Sequence, residues 1–204
     1  MANMGELYIH ELNPYIEKYK CTVFVETGTG VGTGVSYALQ HDFKKLYSIE
    51  YMAQLYEKCK KSFVDERLNL IHSDSLTGLE EILNKTDEEE VMFFWLDAHF
   101  PGADFHFNSY DHLKDQPELH MPLKEEVKLI KEMRPQGRDV IFIDDLQIYE
   151  DGPFELLNQD FKDKYGDLGT EFINEAFAKT HDFSRDYRHQ GFLIITPKEL
   201  ENEV

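Results

Sequence analysis

Apolar residues in this chain gather in short, near-continuous runs, separated by stretches with helical spacing. Residues 22–26, 46–50, 68–72, 91–97 and 140–143 are such runs, rich in Val, Ile, Leu and Phe. Runs of this length without polar alternation predict strands buried on both faces, as in a parallel sheet. Between them, residues 33–41, 51–64, 75–84 and 122–134 show the spacing of amphipathic helices, and Pro135 closes the last of these. Residues 6–20 place Leu7, Ile9, Leu12, Ile16 and Tyr19 at helical spacing, with an interruption or restart at Pro14. Residues 87–90 read as a solvated turn.

The end of the chain breaks this alternation. Residues 154–164 and 170–179 predict two helices, and 183–187 and 192–196 two strands joined by the short turn 188–191. So short a link predicts an antiparallel pair at the sheet edge. The fold expected is α/β: a doubly wound, mostly parallel sheet with helices on both faces and an antiparallel C-terminal strand. A length of 204 residues suits one domain over 1–204. Residues 98–121 show no period and hold His99, His106, His112 and His120 among Phe100, Phe105, Phe107 and Tyr110. At the carboxyl end of the fourth strand, this segment is either a substrate lid or an insertion without a role.

Composition narrows the partners. Lys+Arg 21 against Asp+Glu 40 gives a net charge of −19, which disfavours a nucleic-acid backbone as partner. There is no apolar stretch of membrane-spanning length and no signal-peptide pattern, so a cytoplasmic protein without membrane contact is expected. Cys21 and Cys59 form no metal or redox spacing and are expected as buried free thiols. Association into a homo-oligomer is left open.

The chemistry begins where the first run ends, at Glu26-Thr27-Gly28-Thr29-Gly30-Val31-Gly32-Thr33-Gly34. Strand, glycine turn and helix start form the usual cofactor cradle of α/β proteins. The dinucleotide fingerprint G-x-G-x-x-G does not fit: from Gly28 and Gly30 its third glycine falls on Thr33, and from Gly30 and Gly32 on Val35. Glu26 would face a pyrophosphate unfavourably, but it suits a cofactor with a cationic head. Asp97 ends the fourth strand and Asp144-Asp145 the fifth, and adjacent strands lie about 5 Å apart. Three carboxylates so close call for a compensating cation or proton. Oxygen ligands suit a hard divalent ion, Mg²⁺ first. Alternatively, one aspartate caps a turn and another faces solvent.

The stretch Glu26–Gly32 resembles motif I of the class I S-adenosylmethionine-dependent methyltransferases, and the resemblance runs on in order through most of the chain. It implies a Rossmann-like seven-stranded sheet. It also implies that Glu26, Thr27, Gly28, Thr29, Gly30 and Gly32 hold S-adenosylmethionine, with Glu50 on the ribose hydroxyls. Asp74 and Ser75 would lie near the adenine, and Asp97 near the amino-acid end. Asp97-Ala98-His99 and Asp144-Asp145 are similar to the metal positions of metal-dependent O-methyltransferases of the catechol and macrolide-sugar types. That likeness implies a divalent metal on Asp97, Asp144 and Asp145, orienting a small-molecule hydroxyl of a sugar, polyol or phenol and lowering its pKa. No lysine base stands nearby, so His99 is the candidate base, or else a metal ligand, with Asp97 as the second catalytic candidate. Glu50 and Asp74 also have a plainer role as caps of the helices that follow them. The competing readings are a nicotinamide-dependent oxidoreductase and a catalytically silent cofactor-binding protein.

Overall fold

A computed structural model describes residues 6–98, 120–157 and 169–199. A 3-10 turn at Leu7–Ile9 leads into α1 (Asn13–Tyr19), whose first turn holds Pro14, where a missing N–H costs nothing. Then come β1 (Cys21–Thr27), α2 (Thr33–Ala38), β2 (Lys45–Glu50), α3 (Ala53–Ser62), β3 (Leu68–His72), α4 (Ser75–Lys85) and β4 (Val91–Leu96). After the segment 99–119 follow α5 (Leu123–Met133), β5 (Val140–Ile143), a 3-10 turn at Leu146–Ile148, α6 (Glu171–Phe177), β6 (His181–Asp186) and β7 (Phe192–Pro197).

The strands form one seven-stranded sheet in the order β3-β2-β1-β4-β5-β7-β6. The first five run parallel, while β7 is antiparallel to both β5 and β6. The expected doubly wound sheet with an antiparallel end is therefore present.

The near-continuous apolar runs have a simple cause. Successive side chains point to opposite faces, so a strand covered on both sides needs apolar residues throughout. Val23, Val25, Met92, Phe94, Leu96, Ile141 and Ile143 join one buried layer with Leu79 and Ile82 of α4, Val127 and Ile130 of α5, and Ile173 and Phe177 of α6. Phe24, Phe93, Trp95, Val140 and Phe142 join the opposite layer with Leu7, Leu12, Ile16 and Ala38. The same alternation sends Glu26 to the α2 face and Thr27 to the face of α4 and α5.

Below the site, Arg134 and Asp139 form a buried ion pair with Nε–Oδ2 at 2.9 Å. Asp139 also accepts from the Met92 backbone N–H at 2.8 Å, and Arg134 donates to the carbonyls of Asp87 and Glu90. This network fastens the end of α5 to the start of β4. Both cysteines are free and buried.

One element is corrected. The helix expected over 154–164 is absent in its described part, residues 154–157. There Glu155 N–H donates to the Tyr187 carbonyl at 3.2 Å and Leu156 N–H to that of His189 at 2.8 Å. Pairing with the segment after β6 overrides the local helical spacing. Residues 158–164 of that expected helix lie outside the described residues, as does most of the segment 98–121 with His99, His106 and His112.

Candidate active site

The site sits at the carboxyl ends of β1, β2, β4 and β5. The connections from β1 to β2 and from β3 to β4 run to opposite sides of β1, which makes the crevice between β1 and β4 the switch point where open α/β sheets bind ligands.

Three glycines of the turn take left-handed backbone: Gly28 (φ 81), Gly30 (φ 56) and Gly32 (φ 87). That conformation is the reason for glycine at these places. At Gly28 there is a second reason. A Cβ there would lie 2.6 Å from the Asp97 carbonyl oxygen, so glycine lets β1 and β4 close upon each other above their last paired residues.

Acids hold the turn from both sides. The Gly30 N–H donates to Glu50 Oε2 at 2.8 Å, and the Met52 N–H donates to Glu50 Oε1 at 2.7 Å. Glu50 is buried, and burial raises its pKa against the pull of those two donors. Each oxygen keeps a lone pair for a further donor. Glu26 is buried too. Its Oε2 accepts from Ser48 Oγ at 2.5 Å, and its Oε1 packs against Gly34, where no Cβ would fit. Burial pushes its pKa up to about 8. Ser48 Oγ also lies 2.5 Å from Thr29 Oγ1, linking the turn to β2.

Asp74 is the N-cap of α4, accepting from the Thr77 N–H at 2.8 Å, and the nearly buried Ser75 opens that helix. The plainer capping role of Asp74 is thus realised, on the rim where the adenine contact is expected.

Asp97 follows β4, and its N–H donates to the Thr27 carbonyl at 3.1 Å. The Asp144 N–H donates to the Leu96 carbonyl at 3.1 Å, which sets the second acid beside the first. Asp145 takes a left-handed backbone (φ 53), and its N–H donates to Asp144 Oδ1 at 2.8 Å. All three sequence-predicted acids therefore come together. Burial raises Asp97 well above the carboxylate range, and the charges of Asp144 and Asp145 raise it further. Asp145 is raised likewise by burial and by Asp144, and burial brings Asp144 up to about 7. The Asp145 N–H and, more weakly, the Asp97 carboxyl pull Asp144 the other way. Among the described residues, no three His, Cys, Asp or Glu side chains form a set that could hold a metal ion.

One further buried acid, Glu126, lies beside Thr27 and Ser75 and was not among the sequence candidates. It lies on α5, fully buried, with no hydrogen-bond partner at either carboxyl oxygen. Burial pushes its pKa up to about 7, against a smaller opposing pull from the nearby Ser75 and Thr27 hydroxyls. Its charge also bears on Tyr149, as does that of Asp145. A signal was present: Leu123, Glu126, Val127 and Ile130 form one helical stripe, and an acid occupies an apolar position on it.

No family model and no curated protein sequence matches the chain. Solved structures do. A Podospora anserina methyltransferase, PaMTH1, solved with S-adenosylhomocysteine, is 15% identical; the match covers 91% of this chain and 75% of that one, with a TM-score of 0.58. The O-methyltransferase TomG of Streptomyces achromogenes, solved with S-adenosylmethionine, is 13% identical over 97% of this chain and 82% of that one, with a TM-score of 0.58. The chain has the class I methyltransferase fold. A spermidine synthase from Thermotoga maritima also shares it, at 14% identity and a TM-score of 0.50, over 89% of this chain and 55% of that one. The methyltransferase fold by itself therefore does not decide the reaction, and the site must.

Proposed function

We propose that this protein is a methyltransferase that binds S-adenosylmethionine at the turn after β1 and methylates a hydroxyl of a small molecule such as a sugar, polyol or phenol. The observation that carries this reading is Glu50 clamped to the Gly30 N–H beside the β1–β4 switch point. Each oxygen of this buried acid keeps a lone pair that could accept one of two neighbouring hydroxyls, as a ribose presents them.

S-adenosylmethionine supplies a methyl group on a cationic sulfur and leaves as a neutral thioether. Glu50 would accept from the ribose, with Asp74 and Ser75 at the adenine. Thr27, Gly28, Thr29, Gly30 and Gly32 would form the cradle, with Glu26 beneath it and Asp97 beside the methionine end. An acid-lined crevice favours a cationic cofactor over a pyrophosphate. Placing oxygen, carbon and sulfur in line provides much of such a catalysis. His99, the base expected from the sequence, stays a candidate outside the described residues. No step here runs through a metal.

The test is transfer of labelled methyl from S-adenosylmethionine to catechol, to glucose and to inositol, with and without EDTA. Transfer to oxygen is the expected result, and the EDTA arm decides whether a metal assists it. Loss with EDTA and recovery with Mg²⁺ would restore the metal to Asp97, Asp144 and Asp145. Binding of the cofactor without transfer to any hydroxyl would contradict the O-methylation reading.

A further inference from the structure

Glu126 has a role that nothing above assigns. It is 0% exposed, and neither of its oxygens has a hydrogen-bond partner. An ionised carboxylate so placed costs several kcal/mol, on the order of the whole stability of a domain. A protein keeps such a group where another state of the site gives it a counter-charge. Glu26 is bound to Ser48, Glu50 to two backbone N–H groups, and Asp144 to the Asp145 N–H. Glu126 makes no hydrogen bond of good geometry, and only the nearby Ser75 and Thr27 hydroxyls favour its charged form.

Its surroundings connect it to both halves of the site. Thr27, from β1, stands beside it, and Thr27 Oγ1 also accepts the Asp97 N–H at 3.3 Å. Ser75, from α4, lies on the side of the expected adenine contact. Tyr149, after the 3-10 turn that follows β5, faces both Glu126 and Asp145. From α6, Ile173 and Phe177 join the same apolar layer. The cause of its raised pKa is burial, and no charged side chain contributes to the shift.

We propose that Glu126 is the proton store of the transfer reaction, ionised while the cationic cofactor is bound and protonated once the neutral product cofactor has replaced it. The inference rests on the cofactor reading above. The balance closes. The methyl carbon breaks its bond to sulfur and forms one to the acceptor oxygen. The acceptor's O–H proton passes to the Glu126 carboxylate, and sulfur goes from sulfonium to thioether. One positive and one negative charge disappear together, so the buried site is neutral before and after. The proton would travel to Glu126 through an intervening group, the neighbouring Thr27 hydroxyl.

The test needs no acceptor. Calorimetry at pH 7 in two buffers of different ionisation enthalpy counts the protons exchanged when S-adenosylmethionine and S-adenosylhomocysteine bind. For the wild type, the S-adenosylmethionine complex is expected to release more protons than the S-adenosylhomocysteine complex, by about half a proton or more. In Glu126→Gln both ligands should still bind and the difference should fall to near zero. An equal proton count for the two ligands in the wild type, or the full difference retained in Glu126→Gln, overturns the proposal. Should Glu126→Gln fail to fold, Glu126→Asp keeps a titrating group. The pH at which the difference is half-maximal should then move by about half a unit or more, and an unmoved midpoint overturns the proposal. Failure of both ligands to bind the wild type would instead defeat the cofactor reading itself.

Discussion

The backbone N–H of Gly30 donates to the carboxylate of Glu50 across 2.8 Å, tying the glycine turn to the end of the second strand. The donor lies in a left-handed residue and the acceptor in a buried acid, and Met52 N–H holds the other oxygen. Such charge-assisted bonds are each about twice as strong as neutral ones. The turn is thus shaped before any ligand arrives. A ligand that fits it need not spend binding energy on ordering the loop.

The close packing of Glu26 against Gly34 makes the second helix position after the turn intolerant of any side chain. Gly34→Ala should lower stability by about 1–3 kcal/mol, since neither the buried acid nor the helix can yield freely. Urea unfolding followed by circular dichroism measures this. The control Ser36→Ala, at a position exposed on the same helix, should change stability by less than about 0.5 kcal/mol.

The Arg134–Asp139 pair predicts a larger effect far from the site. Both side chains are 4% exposed. Arg134→Ala would leave Asp139 buried and unpaired, together with the carbonyls of Asp87 and Glu90. A loss of about 3–5 kcal/mol is expected. A thermal melt of the variant should fall far below that of the wild type. An unchanged melting temperature would mean that the pair contributes nothing.

Stability should also depend on pH in a definite direction. Glu26 and Glu126 rise from 4.5 to about 8 and about 7 in the folded state. Between those limits the folded protein holds protons that the unfolded chain has released. Their contribution is therefore fully present below pH 4.5 and is lost as pH rises through 7 to 8. Without cofactor, the melting temperature should fall from pH 5.5 to pH 8.5, and Glu126→Gln should reduce that fall. A steeper fall in the variant would contradict the assignment.

Topology was open to reading from the sequence because it follows from a short-range rule. A strand covered on both faces must be apolar at every position, and runs such as 91–96 and 140–143 state this directly. The same runs mark where the strands end, so Glu50, Asp97, Asp144 and Asp145 could be placed together at one edge. What the sequence hides are pairings made by packing. Ser48 is one polar residue inside an apolar strand, and only the parallel register of β1 and β2, which sets Glu26 opposite Ser48, gives it meaning. Glu126 is masked by its acidic neighbour Glu125 on a helix rich in charge. Residues 154–157 carry helical spacing, but the Glu155 and Leu156 N–H groups donate to the carbonyls of Tyr187 and His189, which lie more than thirty residues away in sequence.

The central claim is that the turn after β1 binds S-adenosylmethionine with Glu50 on its ribose. Isothermal titration of the wild type and of Glu50→Ala with S-adenosylmethionine tests it directly. The wild type should bind one equivalent, and Glu50→Ala should bind about 10- to 100-fold more weakly, the loss of hydrogen bonds to one charged group. No heat of binding from a folded wild type, or equal affinity in the variant, would contradict it.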